Sequence, residues 1–297
     1  MAARVERRMI EVEGATIEVF LTGTESPAVC QSHTFVGTLP EPMPDGQFPW
    51  PWDGSIRGLV SVNPRGVGNS SARNGPSDFT LRQHLDDLEA VRQQLGVARW
   101  VFWGSSGGGV LAQAYALALP QALSGLIIMS AGPSGPRVGA DTTSRLSPHN
   151  PQYRDEMARL AADPLRERRQ AILASVEPRF RDAAWLRLRE GVWVFFYAGQ
   201  PLAVTGENER VWASMEEAFT FEVWDRLHEI VLPTLVVAGR LDDAIPIAHS
   251  ALVHTGIAQS EFVVLAESGH AYPDPESADG VQLRLAIERF LGRLQEA

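Results

Sequence analysis

The chain has 297 residues, 44% of them hydrophobic and 21% charged, which is enough apolar material to bury a large core. Its formal net charge is -10 and all 26 basic residues are arginine, so a nucleic-acid partner is disfavoured and lysine chemistry (Schiff base, P-loop lysine, Ser-Lys dyad) is excluded. Cys30 is the only cysteine, which leaves no internal disulfide and no cysteine-built zinc cluster.

The N-terminus, Met-Ala-Ala-Arg-Val-Glu-Arg-Arg, has no apolar signal-type run, and no window approaches 18 uninterrupted apolar residues. Cytoplasmic residence without membrane association is the expectation. Met9–Val12 and Thr16–Leu21 alternate apolar and polar residues around Gly14, as an antiparallel hairpin does. Ala28–Ser32 and Leu59–Val62 are the next strands, separated by a long stretch with five prolines, Trp50 and Trp52, of the kind that covers a site or a surface. Thr80–Gly96 reads as a helix: Thr80 and Gln83 suit a capping box, leucines at 81, 85, 88 and 95 share a face, and Gly96 ends it.

Trp100–Gly109 (Trp-Val-Phe-Trp-Gly-Ser-Ser-Gly-Gly-Gly) is an apolar strand breaking into GxSxG at Gly104, Ser106 and Gly108. A serine exposed on a sharp strand-to-helix turn takes a strained backbone and needs small neighbours, so the pattern looks like a nucleophile elbow. The Ala- and Leu-rich run Val110–Leu119 is the helix that follows, its N-terminal dipole favouring a developing oxyanion. Leu126–Ser130 is another strand. From Pro133 to His228 the sequence turns Arg- and Glu-rich and reads as helical, with Trp185, Trp193, Phe195, Phe196, Tyr197 and Trp212. Two apolar strands then follow: Pro233–Gly239, leading into Arg-Leu-Asp-Asp, and Glu261–Leu265, leading into Ala-Glu-Ser-Gly-His. Ile245–Ile257 is a helix between them, and Leu283, Ile287, Phe290 and Leu294 mark a last one.

These strand tips carry an acid and a histidine, so the chain order is Ser106, Asp242, His270. In that arrangement His270 takes the Ser106 proton and Asp242 holds the imidazole tautomer. Asp243 is the rival acid; Asp242 is preferred because it is the fourth residue of Gly-Arg-Leu-Asp. His249 and His254 are five apart with no HExxH pattern, and no metal or other cofactor is expected.

With these features in place the chain resembles the α/β-hydrolase superfamily, and within it the proline iminopeptidase-like branch. Val62–Ser70 resembles that branch's Arg-Gly-x-Gly-x-Ser turn, and the stretch from Trp224-Asp225 to Pro233-Thr234-Leu235 its entry into the seventh strand. The resemblance implies an α/β-hydrolase fold with a mostly parallel eight-stranded sheet flanked by helices. Residues 1–132 and 229–297 would form the core, and 133–228 a helical cap inserted between strands 6 and 7. One departure is visible: where the branch has His-Gly-Gly-Pro-Gly, this chain has His33-Thr34-Phe35-Val36-Gly37. That stretch and the elbow supply the oxyanion-hole amides, which by position are Phe35 and Gly107.

The substrate is a small molecule or a short peptide. An aminopeptidase must recognise an α-ammonium, and the acidic second half of the insertion offers Glu216 and Glu217; Trp193 is a candidate pocket wall. A carboxylesterase or lactonase with an apolar pocket is the competing reading, favoured by the departure at 33–37. A non-hydrolytic receptor or lyase on the same fold is a third.

Overall fold

A computed structural model describes residues 5–26, 28–34, 37–38, 40, 42, 45–71, 78–147, 149–151, 217–218, 220–270 and 272–295, and the backbone alone of 185–187, 193–197, 200–202 and 296. The first strands are β1 (Glu6–Val12), β2 (Ala15–Leu21), β3 (Ala28–Gln31) and β4 (Leu59–Val62), followed by helix α1 (Leu81–Gln94). β5 (Trp100–Ser105), α2 (Gly107–Ala118), β6 (Leu123–Met129) and α3 (Gly135–Ala140) come next. After the short strands β7 (Trp185–Arg187), β8 (Trp193–Tyr197) and β9 (Gln200–Leu202), the chain continues through β10 (Thr234–Gly239), α4 (Ile247–Gly256), β11 (Ser260–Leu265) and α5 (Ala278–Glu296).

Eight strands form one sheet in the order β1-β2-β4-β3-β5-β6-β10-β11. The β1–β2 and β2–β4 pairs are antiparallel and every later pair is parallel, so β3 to β6, β10 and β11 all end at the same edge. The central strands read as unbroken apolar runs because both of their faces are covered. Alternation divides them: Trp100 and Phe102 pack with α1, α2 and α4 residues such as Leu88, Leu111 and Val253, while Val101 and Trp103 pack with Leu283, Ile287 and Phe290 of α5.

α1 starts where Thr80 accepts the Gln83 amide at 3.2 Å, and the Gln83 side chain donates to Asp87. The elbow helix begins at Gly107, three residues before the start expected from composition, because the glycines form its first turn. The helical expectation for 133–228 is corrected at 185–187, 193–197 and 200–202, where the backbone forms the antiparallel sheet β7-β8-β9. Trp-Val-Phe-Phe-Tyr is a β-branched and aromatic run, and that strand preference wins over the Arg- and Glu-rich surroundings. The two stems of this segment pair with each other: the Val223 amide donates to Pro133 at 2.8 Å and the Gly135 amide to Phe221 at 2.7 Å. No helix among the described residues is long and apolar enough to cross a membrane.

Candidate active site

Ser106 stands between β5 and α2 with φ 53° and ψ -117°, a region L-residues rarely occupy. Such strain persists only where the surroundings enforce it, and the glycines around Ser106 show how. A Cβ on Gly104 would lie 1.9 Å from the Gly108 carbonyl oxygen, and one on Gly108 would lie 2.5 Å from that of Ser32. On Gly109 it would meet the Ala131 Cβ at 2.4 Å. Strand, turn and helix therefore approach more closely than side chains allow. The Ser106 amide is held by the Met129 carbonyl at 2.9 Å, which ties the turn to β6.

The histidine and the acid arrive from the two neighbouring strand tips. β10 and β11 run parallel from Thr234↔Ser260 to Gly239↔Leu265, so their C-terminal loops leave the sheet side by side. Gly239 lets them touch: a Cβ there would sit 2.4 Å from the Gly269 oxygen and 2.5 Å from that of Ser268. The Leu241 amide donates to Ser268 at 2.9 Å and Arg240 Nε to Ala266 at 2.7 Å. On this platform His270 Nδ1 lies 3.0 Å from Asp242 Oδ2 and 3.1 Å from Oδ1, and its Nε2 lies 3.0 Å from Ser106 Oγ. Asp242 is buried, and its Oδ1 also accepts the amides of Ala244 at 3.0 Å and Ile245 at 2.8 Å. These four interactions fix the carboxylate in one orientation. Asp243 points elsewhere, exposed and 3.4 Å from Arg145 Nε.

The loop that carries His270 is itself held from α5. Asp279, in the first turn of that helix, accepts the Ala266 amide at 3.0 Å, the Glu267 amide at 2.8 Å and the Ser268 hydroxyl at 2.6 Å. The Ser268 hydrogen bond foremost, with these backbone amides, keeps the Asp279 carboxyl below its ordinary range. This anchor escaped the sequence reading; its one available signal was an acidic residue in the first turn of the last helix.

Gly107 opens α2, where the first amides of a helix have no intrahelical acceptor. A Cβ on it would meet Thr34 Oγ1 at 2.5 Å and His33 Cε1 at 3.0 Å, so the turn after β3 abuts the elbow. Phe35 and Glu216 lie outside the described residues, and Trp193 is described only by its backbone, in β8. Glu217 is placed at the N-terminus of α1, where its carboxylate accepts the Leu81 amide. Burial raises its carboxyl above the ordinary range, with the Leu81 amide opposing. α1 links the parallel strands β4 and β5, so its N-terminus lies at the same edge of the sheet as the strand tips of the site.

The Arg-Gly-x-Gly-x-Ser turn is anchored from within. Arg65 is 1% exposed and holds Asp87 through two contacts of 2.8 Å, Asp78 at 2.7 Å and the Glu13 carbonyl at 2.6 Å. Burial lifts the Asp87 carboxyl while Arg65 pulls it back. Asp78 and Asp87 were invisible as partners in the sequence, although Asp87 falls on the buried face of α1. His249 pairs with Asp141 at 2.9 Å and His254 with Ser260 at 2.8 Å, and no three His, Cys, Asp or Glu side chains among the described residues gather as metal ligands.

The sequence profile of a family described as alpha/beta hydrolase fold matches residues 56–274. A proline iminopeptidase from Saccharolobus solfataricus is 28% identical over 220 residues, covering 69% of this chain and 67% of the relative. Among solved structures, an alpha/beta fold family hydrolase from Bacillus anthracis superposes with a TM-score of 0.68 at 20% identity, over 98% of this chain and 99% of the other. Est816, described as an N-acyl homoserine lactone degrading enzyme, gives a TM-score of 0.58 at 23% identity, over 93% and 99% of the two chains. At these identities the structural likenesses speak for the fold.

Proposed function

Because this chain belongs to the alpha/beta hydrolase fold family, we propose that it is a serine hydrolase working through an acyl-enzyme, with Ser106 as nucleophile, His270 as general base and Asp242 as the acid that orients it. The observation that carries the reading is the unbroken hydrogen-bond chain from Asp242 through His270 to Ser106 Oγ at a positive-φ turn. His270 Nε2 takes the hydroxyl proton as Oγ bonds to the acyl carbon and the carbonyl π pair moves onto oxygen. The Gly107 amide, and by its place after β3 the Phe35 amide, receive that oxyanion. The imidazolium then passes its proton to the departing amine or alcohol. A water deprotonated by His270 releases the acid and restores Ser106. Asp242 stabilises the imidazolium in both halves.

For the acyl group and leaving group, the reading is a proline iminopeptidase-like aminopeptidase or amide hydrolase, supported by the Saccharolobus relative. Glu216 and Glu217 are the carboxylates proposed for the substrate ammonium, and Trp193 for the pocket. Two observations favour a second reading, a carboxylesterase or lactonase. The Gly-Gly-Pro of His-Gly-Gly-Pro-Gly is replaced by Thr34-Phe35-Val36, and the Glu217 carboxylate is already engaged by the Leu81 amide. A parallel assay with proline arylamide, alanine arylamide and short p-nitrophenyl esters separates them. Arylamide turnover that requires a free amine selects the peptidase, and ester turnover alone selects the esterase. Turnover of neither, with no phosphonate adduct at Ser106, overturns the serine hydrolase reading itself.

A further inference from the structure

The Asp242 carboxylate is oriented by two peptide groups that are themselves held from a distant part of the chain. Its Oδ1 accepts the amides of Ala244 and Ile245. Those amides belong to the planar units Asp243–Ala244 and Ala244–Ile245, in which each carbonyl points opposite to its N–H. Both carbonyls are taken up by residues 141–147, directly after α3. The Arg145 amide donates to the Asp243 carbonyl at 2.6 Å, and the Ser144 hydroxyl donates to the Ala244 carbonyl at 2.6 Å across 100 residues of sequence. Each peptide plane is therefore held at its N–H end by the candidate catalytic acid and at its C=O end by the stretch after α3.

Ser144, Ala244 and Asp242 are all buried, so solvent does not stand in for the hydroxyl. A hydrogen bond accepted at one end of a peptide group polarises the donor at the other, and a plane fixed at both ends leaves its N–H one direction. The stretch is itself anchored. The Ser144 amide donates to the Asp141 carbonyl at 3.0 Å, and the Ser144 carbonyl accepts Asn150 Nδ2 at 3.0 Å. The Asp141 carboxylate accepts the Thr143 amide at 2.8 Å and meets His249 Nε2 of α4 at 2.9 Å.

The geometry points to Ser144 as a positioning residue for the triad: its hydroxyl, with the Arg145 amide, fixes the two peptide planes that aim the Asp242 carboxylate at His270. This role presupposes the serine hydrolase reading, in which Asp242 acts as the partner of His270. A carboxylate turned away from Nδ1 stabilises the imidazolium less, and attack by Ser106 slows although every group that touches the acyl carbon is still present.

The test uses the full-length protein and, as the probe that reacts with Ser106, a p-nitrophenyl methylphosphonate ester. Ser144→Ala removes the hydroxyl, and the rate constant for phosphonylation should fall about tenfold. The downfield ¹H resonance of the His270 Nδ1 proton, assigned by its loss in His270→Gln, should move upfield as its bond to Asp242 loosens. Ser147→Ala is the matched control. Ser147 is equally buried, and its hydroxyl donates to the Gly139 carbonyl at 2.7 Å and accepts the His149 amide at 3.2 Å, both on its own side of the contact. That variant should keep the parent rate constant and the parent resonance. Ser144→Cys keeps the size with only a weak donor, and should move both readouts in the same direction if Ser144→Ala misfolds. A folded Ser144→Ala or Ser144→Cys protein with the parent rate or the parent resonance overturns the inference, as does a Ser147→Ala protein slowed and shifted alike. A parent that forms no phosphonate adduct at Ser106 overturns the serine hydrolase reading and this role with it.

Discussion

The tips of β5 and β10 both deliver a residue to the candidate site, and they do so by different physics. At the tip of β5 the backbone is forced: Gly104, Gly108 and Gly109 each occupy a place a Cβ would fill with a clash, and Ser106 is left at φ 53°. At the tip of β10 two chemically identical side chains stand side by side, and the surroundings alone sort them. Asp242 is buried against His270 with two backbone amides, while Asp243 is exposed beside Arg145. The first geometry is written into the residue types. The second comes from a loop meeting its neighbour on a parallel strand.

The largest expected effect belongs to the elbow. Ser106→Ala should lower kcat on the order of 10⁶-fold, the scale for losing a triad serine. It should also abolish a single phosphonate adduct seen by mass spectrometry on the peptide containing Ser106; an adduct on Ser105 would break the elbow assignment. At the tip of β10, Asp242→Asn keeps the shape but presents an amide to His270, and kcat should fall on the order of 10⁴-fold, with circular dichroism confirming the fold.

The comparison sharpens further at positions that touch no substrate. Gly104→Ala drives a methyl into the Gly108 carbonyl, so unfolding in denaturant should show a loss of about 3 kcal/mol or more. Asp279→Asn tests the platform under His270. Its folded carboxyl is held below the ordinary range by the Ser268 hydrogen bond and the loop amides. The stabilisation is therefore fully present above about pH 4 and is lost as the pH falls through the lower, folded value. The variant should lose about 2–4 °C in Tm at neutral pH and show a flatter fall in Tm toward acid than the parent; parallel acid limbs would remove Asp279 from this role. The smallest effect is Asp243→Asn, under tenfold in kcat, because it alters only an exposed pair with Arg145. If this variant is the inactive one, the reading of the loop is off by one residue.

Much of the fold was legible because its causes are short-range. Unbroken apolar runs marked β5, β6 and β10, a threonine three residues before a glutamine marked the start of α1, and glycines flanking a serine marked the turn. The order Ser106, Asp242, His270 was equally plain, since each residue follows an apolar strand. The tertiary structure decided what depends on long-range register. The 28-residue contact between His270 and Asp242 and the 164-residue contact between His270 and Ser106 exist because three parallel strands end at one edge. It likewise sent Glu217 to the Leu81 amide, shielded the Trp50 N–H from solvent, and gathered Asp78 and Asp87 around Arg65. An acidic or indole side chain looks the same in the sequence whether it faces solvent, a helix start or a buried guanidinium. Local sterics and periodicity fix backbone conformation, whereas the partner of a polar side chain is chosen by whatever the packed elements bring within about 3 Å of it.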